Sequence, residues 1–367
     1  MAAISRNAKQ LISYARLAAG GPRPSLSTSA PRARWFSSEA PPAAEQMSLI
    51  KRLRERTSAP IKDVKASLVD CNWDIEAAQT DLRKRGKVLA SKKSGRAVSE
   101  GLLALAQGDG MAAVIELNCE TDFVARNDIF QHLALALARQ ALLVGSNAQQ
   151  AAGVCPVGLE CLEESKLNLE HPKVSGETTV QNAVVEVAAI MGENIKLRRG
   201  YLMSTCSPGV LSTYLHTSPQ PGLGRIAGLL SLETEEEIAN VDAIQRVGSE
   251  LAMHVVAAKP LFLSKKLVST DALDKEREVL KSQAESTGKS QFAIEKMVEG
   301  RLRKYYEEVV LMDQKFIVND SITVKTLLDN LSKEVGSPVK IGSFFRMEVG
   351  EGVKRLESSD EPVAQAA

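Results

Sequence analysis

The feature that most constrains the fold is an internal repeat. Two similar phrases, MGENIKL at 191–197 and VGSPVKI at 335–341, stand 144 residues apart, and each leads into a run typical of a strand. Before each phrase, the chain has a pair of strand-like runs, at 101–117 and at 209–232, followed by a helical pattern. Strands and helices in this order form a sheet whose apolar face is covered by the helices of the same unit. The repeat therefore predicts an α+β fold with two similar subdomains, each an antiparallel sheet packed by helices.

The second subdomain carries an insertion. The helices of the two units, near Phe130 and Ile244, are 114 residues apart, whereas the closing phrases are 144 apart. The extra residues fall within 261–311, where a polar turn separates two helical patterns. We predict a first subdomain at 101–207 and a second at 208–353, with a helical-hairpin insertion in the second at about 261–311.

The N-terminal part has a different pattern. Three short amphipathic helices, separated by a Pro-containing break and by a turn at Asn72-Trp73, are predicted within 47–87, the last one ending at Gly86. This size and helix count resemble a ubiquitin-associated-type bundle. A basic, partly helical linker is predicted at 88–100, and a polar, disordered tail at 354–367.

The first 46 residues are predicted to be a leader and a linker. Six basic residues precede the first acid, Glu39, in a segment rich in Arg, Ser and Ala. This composition is typical of an organellar transit peptide, and the arginine content favours the mitochondrion. Without those six residues the chain has 40 basic and 45 acidic residues, a net charge of −5. Such a charge disfavours a protein whose main role is to bind nucleic-acid phosphates. The apolar runs are predicted to be too short, and too interrupted by charge, to span a membrane.

Motifs for covalent or metal chemistry are absent from the sequence. The five cysteines form no CxxC pair, and the four histidines lie in separate segments without metal-ligand spacing. The glycine-rich run at 222–228 precedes a strand rather than a helix, so it does not read as a phosphate-binding loop. We therefore expect a binding protein without a metal or cofactor.

One strand-to-helix corner, at 118–124, combines an acid with a large aromatic. Asp122 and Phe123 follow a β-prone run and precede a helical pattern. From the residues alone, this pair is either a helix cap and a core anchor or a probe that enters a partner. Both interpretations stay open at this point.

Six phrases together resemble the translation elongation factor Ts family, in its mitochondrial form. They stand in the family's order and cover nearly all of the chain after the leader: LRERTSAPIKDVK at 53–65, DIEAA at 74–78, LNCETDFVA at 117–125, MGENI at 191–195, MHVVAAKP at 253–260 and KMVEGR at 296–301.

The resemblance implies a guanine nucleotide exchange factor for elongation factor Tu in the mitochondrial matrix. Such a protein makes and breaks no covalent bond. The corner is then implied to intrude beside the partner's nucleotide and Mg²⁺ site, and the N-terminal module to grip the partner's GTPase domain. The implied contact residues are Thr121, Asp122, Phe123, Val124, His216, Arg54, Ile61 and Lys65.

Two other functions would use parts of this sequence. An adaptor built on the ubiquitin-associated-type module accounts for only about forty residues and gives the corner no role. An RNA-binding helper that uses the basic linker is disfavoured by the charge of −5. We expect no direct nucleic-acid contact, and the residues leave open whether the helical hairpin forms a homodimer.

Overall fold

The computed structural model describes residues 41–57, 59–147, 153–205, 208–236, 241–269, 273–274, 277–279, 281–282 and 291–353. The predicted transit peptide up to residue 40, the predicted tail and much of the first hairpin helix lie outside these residues. The helices are α1 (Ala43–Thr57), α2 (Ile61–Asp70), α3 (Ile75–Lys93), α4 (Asp122–Ala125), α5 (Asp128–Asn147), α6 (Leu159–Glu164), α7 (Val180–Met191), α8 (Val241–Ala258), α9 (Gln291–Val309) and α10 (Val324–Val335). The strands are β1 (Glu100–Gly108), β2 (Met111–Cys119), β3 (Gly153–Pro156), β4 (Lys166–His171), β5 (Val174–Thr179), β6 (Ile195–Ser204), β7 (Gly209–His216), β8 (Leu223–Gly224), β9 (Ile226–Thr234), β10 (Lys315–Phe316), β11 (Asn319–Thr323) and β12 (Val339–Glu348).

Helices α1 to α3 form a small bundle with a core of its own. Its buried side chains are Leu53, Val64, Leu68, Ala78 and Leu82. Asp74 begins α3, and its carboxylate accepts hydrogen bonds from the amides of two residues in the first turn. Such a cap satisfies backbone donors that the helix itself leaves free. The three predicted short helices are therefore present; the likeness to a ubiquitin-associated domain stays a prediction.

The predicted end of the third helix at Gly86 is wrong. Helix α3 continues to Lys93 and packs against α7 of the first subdomain, so the first part of the predicted linker is helical. A Cβ atom at Gly86 would lie 2.8 Å from the Cβ of Ala189. Glycine is thus needed here for close approach of two helices rather than for a helix end. An ion pair of 2.5 Å between Arg83 and Glu186 supports the same contact.

The two subdomains repeat one arrangement, as predicted. The first sheet has the order β3-β6-β2-β1-β8 and the second β12-β9-β7, so β6-β2-β1 and β12-β9-β7 correspond. Helix α5 packs on β1 and β2, and α8 packs on β7 and β9. The closing units match in detail, because Thr179 and Thr323 cap α7 and α10. Each helix then ends at a glycine with positive φ, Gly192 at 72° and Gly336 at 74°.

The two sheets pack against each other with the faces that their helices leave uncovered. The shared core contains Leu103, Ala112, Val114 and Met203 from the first sheet and Leu211, Ala227, Leu229 and Met347 from the second. Strand β2 is consequently buried on both faces. Helices cover only one face of each sheet, and the other face of each lies between the subdomains.

A buried carboxylate lies on the inter-sheet face of β2. Glu116 is fully buried and accepts hydrogen bonds from the Nε of Arg199 at 2.6 Å, from the Nη1 of Arg198 at 3.1 Å and from the backbone amide of Gly350 at 2.7 Å. Burial opposes its ionisation, but the Gly350 amide and the Arg199 guanidinium more than offset this, so the pKa of Glu116 lies below its ordinary value. Glu116 therefore ties the chain after β12 to the first sheet.

Helix α5 has the length and composition of a membrane span. Within the described residues, Asp128–Ser146 has 19 residues and reaches a mean hydropathy of 1.2, so the prediction that the apolar runs are too short and too interrupted by charge does not hold for the length and composition of this helix. Half of this window is buried in the protein, where it packs on β1 and β2. Its apolar character is accounted for by its place in the first core.

The insertion is held at its base by a buried histidine. The Nδ1 of His254 accepts a hydrogen bond from the amide of Ile317 at 3.2 Å, so the proton is on Nε2, which donates to the Oε1 of Gln314 at 3.0 Å. The side-chain amide of Gln314 in turn donates to the carbonyls of Ala258, at the end of α8, and Glu308, in the last turn of α9. The neutral imidazole thus fixes the point where the insertion leaves the second subdomain.

We expect the free energy of unfolding to fall as the pH drops below about 6.5, the ordinary pKa of histidine. Burial lowers the pKa of His254 in the folded protein, so protons bind the unfolded chain first. The stabilisation is complete above the unfolded pKa and is lost as the pH falls towards the folded pKa. Urea titrations at pH 7.5 and 5.5 on wild type and His254→Gln check this: an equal pH dependence in both proteins would contradict it.

Candidate functional site

The corner after β2 presents the ring of Phe123 to solvent and buries the two residues that follow it. Thr121 is extended, with φ −128° and ψ 155°, and the single-turn helix α4 follows. Val124 and Ala125 are 8% and 3% exposed and belong to the first core, whereas Phe123 is 79% exposed. Because the buried pair fixes the rotation of α4, the ring of Phe123 is directed outward. A large aromatic left in water on a fixed backbone is a feature of binding surfaces.

Asp122 lies beside this ring with its carboxylate accessible. It forms an ion pair of 2.7 Å with Arg126, one turn later, and both side chains are exposed. Exposed pairs of this spacing contribute less than about 1 kcal/mol, so a partner can displace Arg126 at little cost. The corner therefore offers an aromatic ring and an exchangeable acid side by side.

A turn from elsewhere in the first subdomain braces the corner. The carboxylate of Glu193 accepts hydrogen bonds from the amide of Thr121 at 3.0 Å and from its hydroxyl at 2.7 Å. One residue earlier, the Oε1 of Glu120 accepts a hydrogen bond from the amide of Asn194 at 2.7 Å. Sequence reasoning used the phrase at 191–195 only as a repeat marker and a family phrase, and it missed this contact. The available signal was the polar pair Glu193-Asn194 at this turn, where the second copy of the repeat has Ser337-Pro338.

The corner forms one wall of a cleft of about 880 Å³. The opposite wall comes from the second subdomain, through Thr217, Ser218 and Pro219. The ion pair between Arg225 and Glu100, at 2.9 Å, also lines the cleft and joins the two subdomains there. The cleft thus combines the corner with a loop more than ninety residues later in the chain.

His216 is the residue before that loop. Its ring is exposed, and the Nδ1 lies 3.3 Å from the hydroxyl of Tyr214. The loop itself is docked on the first subdomain, because Gln220 donates to Gln131 at 2.9 Å and the amide of Leu105 donates to the carbonyl of Gly222 at 2.8 Å. The structure therefore places His216 at the entrance to the loop that faces the corner, although His216 does not line the cleft.

The other predicted contact residues lie on the N-terminal bundle. Arg54 is exposed on α1, and Ile61 and Lys65 are exposed one turn apart on α2. None of the three lines the corner cleft. These three exposed residues of the N-terminal bundle are therefore separate from the corner cleft.

The described residues contain no group of three or more His, Cys, Asp or Glu side chains placed to hold a metal ion. The cysteine nearest to the corner, Cys119, is fully buried. Burial and the carboxylates of Glu193 and Glu100 raise the pKa of its thiol to about 12, so it remains protonated at neutral pH. Its Sγ donates to the carbonyl of Thr121 at 3.0 Å and supports the backbone of the corner.

Comparison with known proteins assigns the family. The chain matches the model of the family "Elongation factor TS" over residues 120–351. It is 80% identical to "Elongation factor Ts, mitochondrial" of Ricinus communis over 91% of this chain and 89% of that protein. For the protein of the same name from Arabidopsis thaliana, the identity is 76% over 91% and 85% of the two chains. A bacterial "Elongation factor Ts", from Paramagnetospirillum magneticum, is 42% identical over 87% and 96%.

The names of the plant relatives agree with the basic leader, and the chain is mitochondrial. The family match includes the corner, the bracing turn, the His216 loop and the insertion. Because it matches the family model and is 80% identical to a relative over most of both chains, the chain belongs to the elongation factor Ts family of translation elongation factors.

Proposed function

We propose that the protein is a guanine nucleotide exchange factor for elongation factor Tu in the mitochondrial matrix. It promotes the release of GDP and stabilises the empty GTPase until GTP binds. No covalent bond is made or broken in this cycle, and the protein needs no cofactor of its own.

The observation that carries the proposal is the exposure of Phe123 on a corner that buried residues and hydrogen bonds hold in place. Val124 and Ala125, the two residues after Phe123, are buried, and Thr121 is bound by Glu193. Such a ring can wedge between side chains of a partner without first losing much conformational entropy.

Asp122 supplies the charge for the exchange step. A GTPase holds GDP through backbone amides of its phosphate loop and through Mg²⁺. A carboxylate brought close to that site competes for the hydrogen bonds and charges that support the metal. Each tenfold weakening of GDP binding requires about 1.4 kcal/mol of preference for the empty partner. By reciprocity, the empty GTPase must then bind this protein more tightly than the loaded one by the same free energy.

Two further surfaces support the same proposal. The loop after His216 faces the corner across the cleft, so a partner segment that reaches Phe123 also meets the second subdomain. Arg54, Ile61 and Lys65 give the N-terminal bundle an exposed, partly apolar and basic surface for the GTPase domain. Contacts at separate places allow affinity and exchange to depend on different residues.

We expect the purified protein, without its leader, to accelerate GDP release from mitochondrial elongation factor Tu. Stopped-flow fluorescence with labelled GDP, chased by excess unlabelled GDP, measures the rate as a function of the concentration of this protein. The expected curve rises to a plateau at least about a hundredfold above the spontaneous rate. A rate that stays at the spontaneous value at all concentrations would rule out the proposed function.

A further inference from the structure

We propose that Glu193 is a positioning residue for the exchange corner. Its carboxylate holds Thr121, and through Thr121 it holds the single helical turn that carries Asp122 and Phe123. This inference rests on the proposed exchange function, but the position of the corner can be measured separately from exchange.

The need for an external support follows from the size of α4. A helix of one turn is not stable by itself, since forming the first turn restricts the backbone angles of several residues and gains only one hydrogen bond. Thr121 stands at the N-cap position, yet its side chain makes no capping hydrogen bond. The hydroxyl donates instead to Glu193, whose second oxygen accepts the Thr121 amide. The backbone amide and the hydroxyl of Thr121 therefore both donate to the carboxylate of Glu193.

The bracing turn also holds the end of helix α3. The side-chain amide of the buried Asn194 donates to the carbonyls of Ser94 at 3.1 Å and Arg96 at 2.8 Å. The ammonium group of Lys93 donates to the carbonyl of Gly192. The residues Gly192, Glu193 and Asn194 thus lie between the helical bundle and the corner and contact both. This arrangement fixes the spacing between the two surfaces that we propose for the partner.

The second copy of the repeat serves as an internal comparison. There, Gly336 is followed by Ser337 and Pro338, where the first copy has Glu193 and Asn194. Pro338 has no N–H to donate, and the hydroxyl of Ser337 is buried without a hydrogen-bond partner. The same fold and the same glycine turn therefore exist without the brace. The brace occurs in the copy whose strand leads to the exposed aromatic.

The strand ends show the same difference. Cys119 pairs with Ile195, and Thr234 pairs with Val339, so Glu235 corresponds to Glu120. Glu235 forms an exposed ion pair with Lys340 on the neighbouring strand β12, whereas Glu120 accepts a hydrogen bond from Asn194 in the turn. A support needed only for folding would be expected in both copies, since the helix cap and the positive-φ glycine occur in both.

The test compares Glu193→Ala and Glu193→Gln with Ser337→Ala, the same turn position in the other copy. We expect Glu193→Ala to lower the plateau rate of GDP release about tenfold, since small displacements of a positioned group have effects of at least that size. The concentration at half-maximal rate should stay within about twofold, because Arg54, Ile61 and Lys65 are untouched. Glu193→Gln keeps one acceptor for the Thr121 hydroxyl and should fall between wild type and alanine. Ser337→Ala should behave like wild type.

Amide hydrogen exchange supplies the readout that does not involve the partner. In Glu193→Ala, the amides of residues 121–125 should exchange about tenfold faster, while those of β1, β2 and β6 are unchanged. Wild-type exchange at 121–125 together with a wild-type plateau would overturn the inference, as would equal acceleration throughout the first sheet. If wild type itself does not accelerate GDP release, the proposed function fails, and hydrogen exchange alone then decides whether Glu193 positions the corner. If Asp122→Ala with Phe123→Ala accelerates GDP release as wild type does, the corner is not the exchange element, although the protein is still an exchange factor.

Discussion

Replacing Asp122 and Phe123 together by alanine is expected to lower the plateau rate of GDP release from elongation factor Tu at least tenfold, which corresponds to about 1.4 kcal/mol of lost preference for the empty partner. The change removes the wedge and the charge from the corner but leaves Val124 and Thr121 in place. Stopped-flow release of labelled GDP, with the variant titrated over the same concentrations as wild type, measures the effect. Much of the affinity should remain, because the surfaces at Arg54 and at the His216 loop are unchanged.

The fold should tolerate this double replacement. Phe123 is 79% exposed, and the ion pair between Asp122 and Arg126 is exposed on both sides, so the free energy of unfolding should change by less than about 0.5 kcal/mol. Phe292, which is 77% exposed on α9, offers a matched control. Phe292→Ala removes an equally exposed ring elsewhere and should release GDP at the wild-type rate. Wild-type acceleration by the double variant would show that the corner is not the exchange element.

The largest effect on stability is expected at Glu116. Glu116→Gln removes the charge that two arginines surround and should lower the free energy of unfolding by about 3 kcal/mol, since breaking a buried ion pair leaves the partner charges uncompensated. Urea unfolding at pH 7.5, followed by circular dichroism, measures the loss. Glu177→Gln is the control: its ion pair with Lys166 is exposed on both sides, and its loss should cost less than about 1 kcal/mol.

The same residue makes the protein sensitive to acid. The pKa of Glu116 is lowered in the folded protein, so its stabilisation is present above the ordinary carboxyl pKa and is lost as the pH falls through the folded value. The difference in stability between wild type and Glu116→Gln should therefore shrink below about pH 4.5. A difference that is already absent at pH 7.5 would mean that Arg198 and Arg199 find other partners at no cost.

Local patterns predicted much of the fold. The repeat, the antiparallel sheets and the second helix of the insertion follow from periodicity, and the glycines after α7 and α10 mark true helix ends. The rule that a glycine marks the end of a helix failed at Gly86, because a close contact between two helices also favours glycine. Only the position of Ala189, about a hundred residues later in the chain, distinguishes the two cases.

The site was predictable in part. Family phrases pointed to Asp122 and Phe123, and burial of Val124 explains why the ring of Phe123 is directed outward. The contacts that hold the corner were not predictable from local pattern, since Glu193 lies 72 residues from Thr121 in the sequence. The role of Glu116 could not be predicted for a similar reason, since its partners include Gly350, 234 residues away. In addition, a single acid within an apolar strand is normally interpreted as a position that faces solvent.

The two-residue strand β8 has a consequence for how the protein can be made. Leu223 and Gly224 belong to the second subdomain but complete the first sheet by pairing with Leu103 and Ala104. A fragment that ends near residue 207 would therefore leave β1 as an open edge strand next to an uncovered apolar face. Such edges are templates for intermolecular pairing and aggregation. During import and synthesis, the first half should depend on the second half, or on a chaperone, to remain soluble until the whole chain has been delivered.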